Sequence, residues 1–222
     1  MQISTFSREL ANAAESALVP TFAKIDQTAR TNTEHVLDCF KSCGVSESFF
    51  TPSTGYGSGD RGRDALDKLA AEIFRAEAGF IRPSLLSGTH TLAVALYGIL
   101  RPGDIMLSVT GRPYDTLTKV LGLDQTGDEK PQISSEGSLR DLGVDYRQLE
   151  LLPDPFTAEE PIDIPAMVEF IRRHGEKVKM VYVQRSRGYA FRPALTVSQI
   201  RRAAYEVEKV SREMGIRKPV FM

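Results

Sequence analysis

From about residue 80 onward the chain alternates short apolar runs with amphipathic helical stretches, and no other property of the sequence restricts the fold as much. Runs of strand length fall near 80–86, 104–109, 144–150, 178–184 and 218–222. Helical periodicity fills the intervals near 89–100, 113–122, 164–174 and 197–214. The last of these opens on Thr196-Val197-Ser198-Gln199, a capping-box pattern. Repeated βα units of this length predict a mainly parallel sheet with right-handed crossovers and helices on both faces. In such a sheet ligands meet the protein beyond the carboxyl ends of the strands. The segments that follow each apolar run are therefore where function is sought.

The first 43 residues read as helix with no strand beneath them. Phe6, Leu10, Ala13, Ala14 and Leu18 share one face of a helix over 4–18, and Pro20 is expected to interrupt it. A second helical stretch passes through Phe22 and Ile25, and a third runs from Thr33 to Cys43 with Gly44 as its stop. An arm of this kind docks on a larger body or on another subunit. Residues 51–62 are a loop on composition, followed by a helix over 63–78 with Leu66, Leu69, Ala70, Ile73 and Phe74 on one side. Residues 124–142 are polar and rich in Gly and Ser, which predicts a long surface connection. Lys218-Pro219-Val220-Phe221-Met222 has the composition of a buried parallel strand, and the sequence stops inside it; the expectation is a fragment or a truncated reading frame.

Bulk properties exclude several classes. A net charge of −1 supplies no basic field for nucleic acid. No apolar stretch approaches the length of a membrane span, and Met1–Pro20 lacks the apolar core of a signal peptide. Two cysteines do not make a disulfide scaffold, so a reduced, cytoplasmic setting is expected.

Among candidate site residues, Ser87-Gly88-Thr89-His90 stands first. A small-residue turn opening a helix presents free N–H groups to a phosphate. Gly88 permits close approach, Thr89 adds a hydroxyl, and His90 either contacts a ligand or fills the first helical turn. The bland alternative is an ordinary tight turn. Gly111-Arg112-Pro113-Tyr114-Asp115-Thr116 then sets an aromatic ring just past the next strand. Phosphate seat and ring together point to a flat phosphorylated cofactor. Tyr56, in a glycine-flanked loop, is either a site residue or a surface-packed ring. Arg185 and Arg187 follow the strand near 178–184, where a guanidinium either takes a substrate carboxylate or caps a neighbouring helix. Arg192-Pro193 reads as a surface turn. His35, Cys39 and Cys43 lie four residues apart on one helix, too spread for a single ion, and no metal site is expected.

Gly55-Tyr56-Gly57, Gly62-Arg63-Asp64, Ser87-Gly88-Thr89-His90, Gly111-Arg112-Pro113-Tyr114-Asp115-Thr116-Leu117 and Gln184-Arg185-Ser186-Arg187-Gly188-Tyr189, in that order, resemble the methionine gamma-lyase-like family, whose members are often called cystathionine beta-lyase family proteins involved in aluminium resistance. The resemblance implies a pyridoxal 5'-phosphate enzyme of fold type I, with an aspartate-aminotransferase-like α/β large domain. On that implication residues 1–50 are a helical arm and 51–222 the first, incomplete part of the cofactor-binding domain. It further implies that Ser87, Gly88, Thr89 and His90 seat the phosphate end and that Tyr114 stacks on the pyridine. Tyr56 and Arg63 (or Arg61) would reach the phosphate of a neighbouring subunit in a homodimer or homotetramer. The implied reaction is β- or γ-elimination on a sulfur amino acid, with Arg185 or Arg187 at its carboxylate. The family's Schiff-base lysine and its pyridine-pairing aspartate match no motif here, and Lys119, Lys177 and Lys218 lie outside any matching context. The alternatives are an inactive or assembly fragment and another fold-type I enzyme such as an aminotransferase.

Overall fold

The computed structural model describes residues 4–53, 60–123, 136–154 and 158–222. Two compact units make up the chain, 1–85 and 86–222.

In the first unit Thr5–Ser42 is one helix, α1, rather than three. Ser4 caps it, its Oγ accepting from Ser7 N–H at 3.1 Å. Pro20 lies inside the helix; it removes one N–H from the ladder, and the neighbouring turns carry on around the gap. Phe6, Leu10, Leu18, Phe22 and Ile25 are all exposed along α1, and only Cys39 is buried. A 3-10 turn at Glu47–Phe50 leads to α2, Arg61–Phe74, whose N-cap Asp60 accepts from Arg63 N–H at 3.1 Å. Beyond α2 the expected strand over 80–86 is absent. Asp67 on α2 captures this segment instead. It accepts both guanidinium nitrogens of Arg82 at 2.7 Å and the Ile81 N–H at 2.9 Å. Pro83 has no N–H to give a ladder.

The second unit holds a four-stranded sheet: β1 Ile105–Ser108, β2 Asp145–Gln148, β3 Val178–Tyr182 and β4 Val220–Phe221. All pairings are parallel and the order is β2-β1-β3-β4. Four helices of this unit flank the sheet on its two faces: α3 Gly88–Ile99, α4 Asp115–Leu121, α5 Ile164–His174 and α6 Val197–Met214. One sheet face packs Leu107, Val109 and Val181 against Met167 and Ile171 of α5 and Ala203, Val207 and Val210 of α6. The other packs Met106, Met180 and Tyr182 against Leu96 of α3 and Leu117 and Leu121 of α4. Alternate residues thus serve opposite layers, the period of a strand. A bulge in β3 preserves this match: Ile105 faces Val178 while Met106 faces Met180, so Lys179 is the extra residue. The segment over 124–142 is not wholly superficial. Within its described part Ser138 and Leu139 are buried, and Leu139 joins the α3/α4 layer. Among the described residues no helix is long and apolar enough to cross a membrane.

Candidate ligand site at the carboxyl edge of the sheet

The strand order reverses direction between β1 and β3, because β1 leads to β2 on one side and β3 continues to β4 on the other. The loops leaving β1 and β3 therefore diverge around a crevice, where open α/β sheets receive ligands. Gln184 holds these loops together. Its N–H donates to Thr110 Oγ1 at 3.0 Å, and its Oε1 accepts from the Tyr114 N–H at 2.6 Å. Its Nε2 donates to the Ser186 carbonyl at 3.2 Å. Arg192 closes the second loop from behind, donating to the carbonyls of Gln184, Ser186 and Pro193 at 2.9–3.0 Å. It is 8% exposed, so the expectation of a surface turn fails. Burial lowers the proton affinity of its guanidinium. The three carbonyls are the compensation for placing a cation there.

Tyr114 is the N-cap residue of α4 and 37% exposed. Its ring stacks on Tyr189 with centroids 5.8 Å apart and planes 26° from parallel. A hydrogen bond with Tyr189 pushes the Tyr114 hydroxyl above its ordinary pKa. Gly188, at φ +55°, lies against the same ring; a Cβ there would be 2.7 Å from Tyr114 Cδ2.

Ser87 caps α3, its Oγ accepting from His90 N–H at 3.1 Å and its carbonyl from Thr91 N–H at 2.9 Å. Gly88 and Thr89 open the helix, and the first N–H groups of a helix have no partner within it. A Cβ on Gly88 would meet nothing within 4 Å, so the space above this turn is open. His90 Nδ1 accepts from Leu86 N–H at 3.3 Å, which turns the imidazole back over the preceding residue. Thr89 Oγ1 and Thr116 Oγ1 share a hydrogen bond of 2.8 Å. That bond joins the N-terminus of α3 to the first turn of α4, directly after Tyr114.

Arg187 lines a cleft of about 420 Å³ at this edge, together with Gln184 and Arg192. Arg185 is exposed, and its carbonyl accepts from Leu195 N–H at 3.1 Å. In the first unit Arg63 lies 3.8 Å from Asp60 and lines a separate cleft of about 520 Å³ with Phe40, Phe49, Leu66 and Ile81. Arg61 sits 5.1 Å over the Phe49 ring. Tyr56 lies outside the described residues. Cys39 Sγ is 3.8 Å from His35, whose Nε2 meets the Ile73 carbonyl at 3.1 Å. Among the described residues no group of three His, Cys, Asp or Glu is placed for a metal ion.

These features define an α/β domain with an open helix N-terminus beside a partly exposed aromatic ring at its ligand edge. The methionine gamma-lyase family profile matches residues 7–216, and the chain belongs to that family. It is 36% identical over 93% of its length to YnbB of Bacillus subtilis (strain 168), a protein of uncharacterised function. It superimposes with a TM-score of 0.81 and 35% identity over 94% of its length on a Clostridium acetobutylicum protein described as a candidate cystathionine beta-lyase involved in aluminium resistance. A Clostridium novyi NT structure described as a carbon-sulfur lyase involved in aluminium resistance gives a TM-score of 0.82 at 33% identity over 95% of the chain. The chain spans about half the length of these relatives, 46–47%.

Proposed function

We propose that this chain is part of a pyridoxal 5'-phosphate-dependent carbon–sulfur lyase with a fold-type I large domain, acting on a sulfur amino acid by β- or γ-elimination. The observation that carries the reading is the Thr89–Thr116 hydrogen bond, which sets an anion-accepting helix start next to the Tyr114 ring. The residues present fit the phosphate and the pyridine of the cofactor. Gly88 and Thr89 stand in the first turn of α3, where N–H groups have no partner within the helix, and a Cβ on Gly88 would meet nothing within 4 Å. Tyr114 offers a ring fixed at its own N–H by Gln184 and backed by Tyr189. When bound, the cofactor supplies an electron sink for charge developing on the substrate's α-carbon. In this reading Ser87 and His90 shape the phosphate turn, Tyr114 excludes water from one face of the pyridine, and Arg185 or Arg187 attracts the substrate carboxylate. Tyr56 and Arg63 complete the site of a neighbouring subunit in a homodimer or homotetramer.

No lysine takes part in the hydrogen bonds described at Ser87–Thr91, Tyr114–Thr116 or Gln184–Arg192. A second reading is a binding or assembly piece that holds the cofactor without turning over substrate. One titration separates the outcomes. The purified chain is titrated with pyridoxal 5'-phosphate and assayed for thiol release from sulfur amino acids. The cofactor reading expects one equivalent bound, lost in Gly88→Asp and weakened in Tyr114→Ala. Binding with thiol release supports the lyase, and binding without it supports the assembly piece. Equal binding by Gly88→Asp and the unaltered chain overturns both.

A further inference from the structure

The cleft of about 420 Å³ at the sheet's carboxyl edge contains a guanidinium that the hydrogen bonds above do not use. Arg112 lines this cleft, and its Nη2 is shut off from water with no hydrogen-bond partner. A buried unpaired donor on a cation is costly, and native structures match such groups with an acceptor. Arg192, in the same cleft, is already satisfied by three carbonyls. The cleft also holds a carboxylate. Gln148 Nε2 donates to Glu150 Oε1 at 2.6 Å, and the Glu150 carboxylate packs on Gly111. Gly111 has φ +74°, and a Cβ there would lie 2.5 Å from Glu150 Oε2, so only glycine leaves room for this placement.

We infer that this cleft is an amino-acid subsite, with Arg112 receiving the carboxylate of a zwitterionic ligand and Glu150 its ammonium. A single cavity with one unmatched cation and one fixed anion suits a zwitterion. A phosphate or a dicarboxylate would meet Glu150 at close range and be repelled. Arg187, exposed at the same cleft, adds positive charge for the approaching carboxylate. Gln184 is common to this cleft and to the Tyr114 loop, so the subsite adjoins the cofactor seat. The inference rests on the proposed function only for what happens to the amino acid afterwards; binding itself needs no cofactor.

The test uses the whole chain without cofactor and three probes: L-methionine, 3-(methylthio)propanoate and 3-(methylthio)propylamine. Affinity is read by calorimetry, and the Arg112 side-chain N–H resonance by NMR. The two carboxylates should shift that resonance, and Arg112→Gln should weaken both by at least about tenfold, as loss of a charged hydrogen bond implies. Glu150→Gln should weaken L-methionine and spare the propanoate, and the amine alone should not shift Arg112. Should Arg112→Gln fail to fold, the unaltered chain's Arg112 resonance and the charge-retaining Arg112→Lys decide. Carboxylate probes that leave the resonance unmoved, or bind Arg112→Gln within twofold of the unaltered chain, overturn the assignment. Pyridoxal 5'-phosphate binding, measured on the same samples, reports separately on the cofactor reading.

Discussion

Substituting Gly188 by alanine perturbs the candidate site through a single methyl group. The backbone at 188 has φ +55°, and a side-chain-bearing residue there loses about 1–2 kcal/mol. The new Cβ would also lie 2.7 and 2.9 Å from Tyr114 Cδ2 and Cε2. Forcing a methyl into a packed contact loses about 1–3 kcal/mol. Tyr114 is 37% exposed and has room to swing, which puts the second contribution at its lower end. Together these give about 2–4 kcal/mol, or a melting temperature lower by about 5–12 °C for a chain of this size. The chain has no tryptophan, so near-ultraviolet circular dichroism reports on tyrosines and should lose intensity as the Tyr114–Tyr189 stack opens. Gly188→Asn separates the two effects, because asparagine tolerates the left-handed backbone but still carries the Cβ. It should recover stability in part and leave the tyrosine signal depressed. An alanine variant with unchanged melting and an unchanged tyrosine band would refute the packing of Gly188 on Tyr114.

Three further outcomes are expected. Hydrogen bonds from Arg82 hold the Asp67 carboxyl below the usual carboxylate range. A depressed folded-state value stabilises above the unfolded value of about 3.9, and that stability is lost as pH falls toward the folded value; acid unfolding followed by circular dichroism should show this loss, and Asp67→Asn should remove it. Burial drives the Tyr146 hydroxyl far above its ordinary value, so its contribution is intact below pH about 10 and declines as pH rises beyond it; alkaline unfolding should be less steep in Tyr146→Phe. Thr196→Ala removes the Oγ1 that accepts from Gln199 N–H at 3.3 Å and keeps the Thr196 N–H bond to Gln199 Oε1 at 2.9 Å; losing this half of the α6 capping box should lower stability by about 1 kcal/mol in a urea titration.

Much of the fold was legible because local chemistry and tertiary context agree. Ser87 and Thr196 are helix caps by residue type, and both cap in the structure. The apolar runs at 105–108 and 178–182 become central strands because Met106, Leu107, Val178, Met180, Val181 and Tyr182 each find a helical layer on one face or the other. The run at 80–86 is also largely apolar and fails, since Asp67 on α2 takes the Ile81 N–H and Arg82 while Pro83 has no N–H to give. Pro20 misleads in the opposite sense, because one missing N–H does not stop a long helix. At the candidate site, Ser87–His90 and Tyr114 announce themselves by residue type next to strand and helix ends. Gln184, Arg192, Thr110 and Arg112 do not. Gln184 acts on a backbone N–H 70 residues away, and Arg192 acts on carbonyls that every residue possesses.

The most direct test follows backbone amides of the nitrogen-labelled chain by NMR during titration with pyridoxamine 5'-phosphate and, separately, with pyridoxamine. The phosphorylated vitamer should shift Gly88 and Thr89 first, with Tyr114 and Thr116 following, and the unphosphorylated one should move none of them. If pyridoxamine 5'-phosphate leaves Gly88 and Thr89 in place, or pyridoxamine shifts them equally, the helix start at α3 is not a phosphate seat and the cofactor account fails.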